Sequence, residues 1–127
     1  MGTKVVSRQD LKHGQVAVGI ALEHIVFNRE HLALSTMNDL ELQREVVGLF
    51  LTQLRETRDS LKAKPMAAQD RKFMSHNLRG AASAVGALQI EELARIWESV
   101  NFDPVVIDAL LEQAETAFSV ETRAIFA

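Results

Sequence analysis

The sequence predicts an all-α fold: an antiparallel up-down four-helix bundle with a short additional N-terminal helix or arm. Three observations predict it. Apolar residues recur at three- and four-residue spacing through most of the chain, the period of a helix with one buried face. Only two prolines and six glycines occur in 127 residues, so long helices run uninterrupted. The joins between periodic segments are short, and short joins between long helices make antiparallel neighbours.

Residues 1–27 are read as an N-terminal arm of uncertain structure, and residues 28–127 as the helical domain. Within the arm, residues 15–20 alternate weakly and include Gly19, with Gly14 just before them. Asn28 is a plausible N-cap for a short helix through residue 34. Asn38 is expected to cap the next helix, with Glu41 three residues on, close to a capping box. Leu42, Val46, Leu49, Phe50, Gln53 and Leu54 form its apolar stripe, with Leu61 near the end. Arg44, Glu45, Arg55, Glu56, Arg58 and Asp59 fill its other side. Lys62-Ala63-Lys64-Pro65 ends it, since basic residues suit a helix C-terminus and proline blocks continuation.

The third helix is expected over residues 66–86. Projected at 3.6 residues per turn, Ala67, Met74, Leu78, Ala81 and Val85 share one side. Lys72, His76, Arg79, Ser83 and Ala87 share the opposite side, with Gly80 beside them. Gly86 ends the helix or bends the chain. A fourth helix spans residues 88–100, with Ile90, Leu93, Ala94 and Trp97 inward. Asp103-Pro104 reads as an N-cap followed by proline at the first helical position. Ile107, Leu110, Leu111, Ala114, Ala117 and Phe118 are the inward face of the last helix.

Composition narrows the function. Net charge is −3 with both signs interspersed, and no basic stripe invites nucleic acid. Cysteine is absent, which removes disulfides and thiolate metal sites. The longest apolar run, residues 16–27, contains Glu23 and His24 and is too short to span a bilayer. No signal-peptide pattern is present, and Val6 stands where a myristoylation motif takes Ser or Thr. A cytoplasmic protein is expected. No Glu-x-x-His pair of a di-iron bundle occurs. Without a Gly-rich phosphate loop or Walker lysine, the chain is no self-sufficient kinase. His13, His24 and His31 stand in no comparable motif and are read as structural or solvated.

The chemistry concentrates at His76. Arg79 and Gly80 follow it by three and four residues, so all three share one patch of helix surface. Neutral imidazole is a good nucleophile toward phosphorus. A guanidinium meets phosphoryl charge with a planar fork of donors. Lys72, a turn earlier, adds to the potential. A glycine there costs roughly 1 kcal/mol of helix stability against alanine, and it leaves open space over the ring. Phe73 lies at the edge of this strip. A lone surface histidine is usually only a solvated residue; the joint spacing lifts this one above that.

The run His76-Asn77-Leu78-Arg79-Gly80-Ala81-Ala82, with Gly86-Ala87 beyond it, resembles the signature of histidine-containing phosphotransfer (HPt) domains. That signature reads His-x-Leu-Lys-Gly-Ser/Ala-Ser/Ala, then Gly-Ala. Phe50-Leu51 resembles the family's Phe-Leu, and residues 28–54 resemble the start of stand-alone bacterial members. The resemblance covers roughly residues 28–120. It implies a bundle whose second long helix exposes a phosphorylatable histidine. It implies a middle carrier in a multistep phosphorelay, exchanging phosphoryl groups with aspartates of response-regulator receiver domains downstream of a hybrid sensor histidine kinase. Carried over, His76 is the phospho-acceptor, Gly80 the access position, and Arg79 stands where the family usually has lysine. Glu98 falls where many members place Glu or Gln, in reach of a hydrogen bond to the imidazole. No cofactor is expected on this chain; magnesium belongs to the receiver's carboxylates.

Two rivals differ in kind. The dimerisation bundle of histidine kinases usually has an acidic residue directly after the histidine and often a proline nearby downstream; here Asn77 follows, and no proline lies between His76 and Pro104. A complete four-helix pattern in one chain favours a monomer. The other rival is a degenerate bundle that binds or sequesters a receiver without phosphotransfer.

Overall fold

The computed structural model describes Gly19 and residues 25–63 and 65–126. The remainder of the N-terminal arm, with His13 and His24, and also Lys64 and Ala127 lie outside the described residues. The described residues are all-helical, in five helices with no strand: α1 (Arg29–Ser35), α2 (Leu40–Ala63), α3 (Ala68–Ala84), α4 (Leu88–Ser99) and α5 (Pro104–Phe126). None is long and apolar enough to cross a membrane.

Asn28 caps α1 as expected, its Oδ1 accepting the His31 N–H at 3.0 Å. The Asn28 N–H donates to the Gly86 carbonyl at 2.8 Å, and the Ser35 hydroxyl donates to Ala84 O at 3.3 Å. These bonds seat α1 on the turn between α3 and α4, with Leu32 fully buried beneath it.

The entry to α2 differs from the expectation. Asp39, not Asn38, is the cap: its Oδ1 accepts the Leu42 N–H at 3.1 Å. Asn38 instead helps close α1. Its N–H donates to Ala33 O at 2.8 Å, while that of Met37 donates to Leu34 O at 3.3 Å. That is a Schellman pattern with Met37 at the left-handed position. Met37 (φ 52°) and Asn38 (φ 60°) both have positive φ. Asparagine tolerates that conformation and aspartate brings negative charge to the helix start, so the two adjacent cap-formers divide the work. Glu41 then stands at the second helical position, and no capping box forms.

The buried stripe of α2 is Gln43, Val47, Phe50, Leu54, Thr57 and Leu61. Its alternating four- and three-residue spacing is that of a helix-packing seam. The sequence-based stripe was one residue early at the N-terminal end. Leu42 and Val46 are only half-buried, and Leu49 is 66% exposed. Arg58 also departs from its expected solvent side. Its guanidinium donates to Asp108 at 2.8 Å and to Glu115 at 3.4 Å, and sits 3.3 Å from Glu112. This cluster joins α2 to α5. The hydrogen bond with Asp108 is the main cause that raises the Arg58 pKa above its usual value.

α3 starts two residues later than expected, after Ala67, which offers no side-chain cap. Ser75, Leu78 and Ala82 are its buried face. Ala67, expected inward, is exposed because it precedes the helix. Ala87, expected on the solvent strip, is fully buried because the helix has already ended. The end is a second Schellman motif: Ala87 N–H to Ala82 O (2.9 Å) and Gly86 N–H to Ser83 O (3.2 Å). Gly86 has φ +73°, and a Cβ there would lie 2.5 Å from Asn28 O, so only glycine fits.

In α4 all four expected inward residues are buried, with Gln89 and Ile96 in addition. α5 begins as expected: Asp103 Oδ1 accepts the Val105 N–H at 2.9 Å, and Pro104 opens the helix. Ile107, Leu111, Ala114, Phe118 and Thr122 are buried, while Leu110 and Ala117 are half-buried. Helix α3 packs mainly on α4, and α2 on α5, with α4–α5 and α2–α3 contacts closing the core. Phe27 and Phe50 meet Phe118 edge-on at 5.5 and 5.4 Å. Trp97 and Leu54 are among the largest fully buried side chains.

Candidate functional site

His76 occupies the middle of α3. Its neighbours Ser75 and Leu78 are fully buried, and that fixes the rotation of the helix and turns residue 76 outward. Its side chain is 64% exposed. Gly80, one turn on, faces open space: a Cβ built there meets nothing within 4 Å.

Arg79 and Glu98 complete the local constellation from α3 and α4. Arg79 Nη2 lies 3.3 Å from His76 Nδ1, and Arg79 Nη1 lies 3.2 Å from Glu98 Oε2. Glu98 Oε1 is 3.8 Å from His76 Nδ1, too far for a hydrogen bond. So Glu98 stands near the ring without the hydrogen bond that the resemblance implies, and Arg79 makes the direct contact. The buried Glu98 Oε2 has charge contact with Arg79 but no aligned hydrogen bond.

Arg71 ties the end of α4 to α3. Its Nη1 donates to the carbonyls of Trp97 (2.6 Å) and Glu98 (2.8 Å), at the C-terminal end of α4. A cation there satisfies orphan carbonyls and suits the negative end of the helix dipole. Sequence reasoning missed this residue. Its partners are backbone groups 26 and 27 positions away, and no local spacing announces such a contact.

Lys72 is exposed and makes no hydrogen bond to the ring. It lines a cleft of about 620 Å³ with Arg71, Arg79, Arg95, Glu98 and Ser99. Arg95 is engaged by Glu92 one turn back. The cleft gathers cations on a chain whose net charge is −3. Phe73 is 68% exposed on the preceding turn of α3, beside a smaller hollow of about 300 Å³ formed with Ser60, Pro65, Met66, Asp70 and Met74. His31 is exposed on α1, remote in sequence from the site. Among the described residues, no three His, Asp or Glu side chains are grouped to hold a metal ion.

The arrangement offers an exposed imidazole, a donor fork at its flank, a carboxylate one step behind and, among the described residues, open space over Gly80. Comparison with known proteins adds no relative: no family model, no curated protein and no solved structure matches the chain.

Proposed function

We propose that this protein is a histidine phosphotransfer protein, the intermediate phosphoryl carrier of a multistep two-component phosphorelay, working as a cytoplasmic monomer. In this reading α2–α5 form an antiparallel four-helix bundle, with α1 across one end. The observation that carries it is the exposed His76 ring with Arg79 in contact and Gly80 leaving the approach clear.

The chemistry is a phosphoryl exchange. A ring nitrogen of His76 attacks the phosphorus of an aspartyl phosphate on a visiting receiver. The nitrogen–phosphorus bond forms, the acyl oxygen–phosphorus bond breaks, and its electron pair stays on the departing carboxylate. The phosphoryl group brings negative charge to the surface of α3. Arg79 meets that charge with a hydrogen-bonding fork, and exposed Lys72 adds potential. The reverse step delivers the group to the next receiver, with magnesium held by the receiver's own carboxylates. No step consumes a nucleotide on this chain. Phe73, exposed near the ring, supplies apolar area for a docked domain.

The test is incubation with a panel of phosphorylated receiver domains and magnesium. Wild type is expected to acquire acid-labile, alkali-stable phosphate. His76→Gln is expected to acquire none, with unchanged helical circular dichroism. A wild-type protein that binds a receiver yet takes up no label overturns the carrier reading in favour of a receiver-binding module.

A further inference from the structure

We propose that Arg79 is a latch on the His76 imidazole: it holds the resting ring in the Nε2–H tautomer, and an arriving phosphoryl group arms the ring by drawing Arg79 away. This inference rests on the carrier reading and adds a control step to it.

A guanidinium donates hydrogen bonds and accepts none. The 3.3 Å contact of Arg79 Nη2 with His76 Nδ1 therefore places a lone pair on Nδ1. A neutral imidazole has one N–H, so the proton sits on Nε2. With that proton in place, Nε2 has no in-plane lone pair for phosphorus. Nδ1 has one, but it faces Arg79 and Glu98.

Glu98 competes for the same atom with the opposite requirement. Its Oε1, 3.8 Å from Nδ1, accepts a proton's hydrogen bond and cannot donate one as a carboxylate. A movement of about 1 Å closes that gap to hydrogen-bond length. Arg79 blocks it twice, by occupying Nδ1 and by engaging Glu98 Oε2 at 3.2 Å. A phosphoryl dianion offers Arg79 a stronger partner than a neutral ring nitrogen does. Once Arg79 turns to it, the ring loses the Nε2 proton to water and gains one at Nδ1, with no net change. Glu98 accepts the Nδ1–H. The Nε2 lone pair then forms the bond to phosphorus as the acyl oxygen leaves with its electron pair. The phosphorylated ring keeps its Nδ1 proton. Arg79 is thus a positioning residue for the resting ring, and the donor itself releases it.

Ring ¹⁵N chemical shifts of His76 report the tautomer directly, measured where the ring is neutral. Wild type is expected to show essentially a single Nε2–H form. Arg79→Ala is expected to shift population several-fold toward Nδ1–H, because Glu98 then faces Nδ1 alone. Arg79→Ala combined with Glu98→Ala is expected to return to the mixture of a free histidine. A wild-type ring in the Nδ1–H form, or no shift in Arg79→Ala, overturns the latch. Phosphoryl uptake is read separately: uptake by a wild-type ring already in the Nδ1–H form removes the latch and leaves the carrier standing.

Discussion

At the residue scale, three of the site positions were legible because they lie along one turn of one helix. His76, Arg79 and Gly80 follow from spacing alone, and their shared surface needs no tertiary information. The contact that Arg79 makes, and the distance at which Glu98 stands off, needed the packing of α4 on α3. Arg71 was invisible for the same reason. Gly80 gives the sharpest prediction at this scale. With no atom within 4 Å of a built Cβ, Gly80→Ala should raise stability by about 1 kcal/mol through helix propensity. Urea unfolding measures it. Gly80→Gln should also fold at least as well as wild type, yet slow phosphotransfer markedly, because its side chain projects over the approach to His76. Unimpaired transfer in Gly80→Gln would refute a role in access.

At the scale of elements, caps decided what the sequence made clear. Asp103-Pro104 was readable because one cap-former precedes a proline that fits only the first turn. Asn38-Asp39 was not, since two cap-formers stand side by side and the α1 end had to be known first. Both Schellman turns yield predictions. Met37 is a methionine with φ 52° and 85% exposure, so its side chain gains little from burial there. Met37→Gly should stabilise the protein by about 1 kcal/mol by relieving the left-handed conformation. Gly86→Ala should do the reverse. The strain of positive φ and the 2.5 Å approach to Asn28 O together should cost at least about 2 kcal/mol. A loss this large should also loosen α1, because the Asn28 N–H bond to Gly86 O anchors it; hydrogen exchange at the Asn28 amide reads that directly.

At the scale of the whole molecule, the number and order of the helices among the described residues were legible, while the facing of α2 was only partly so. Its seam includes Gln43 and Thr57, and counting apolar letters alone rotated the stripe toward Leu42, Val46 and Leu49. Thr57 fits inside because its hydroxyl donates to Gln53 O at 3.0 Å. The Arg58 cluster was equally hidden, its carboxylates lying on a helix some fifty residues later. Arg58→Ala should destabilise the protein by roughly 1–3 kcal/mol, because Asp108 and Glu115, both largely buried, lose their counter-charge. The raised Arg58 pKa sets the sign of its pH dependence. The stabilisation is complete below the unfolded guanidinium value and disappears only as pH rises through the still higher folded one. The gap between wild type and variant in chemical denaturation should therefore show no contribution from Arg58 ionisation across neutral and mildly alkaline pH.

The whole account depends on His76 presenting its ring to a visiting domain from a helix whose opposite face is locked in the core. The most direct measurement is mass spectrometry of the intact protein and its fragments, under alkaline handling, after exposure to a phosphorylated receiver domain. One phosphoryl group is expected, on the fragment containing His76, and it should leave when a second, unphosphorylated receiver with magnesium is added. A phosphoryl group found on any other residue, or one at His76 that no receiver can remove, would contradict the account.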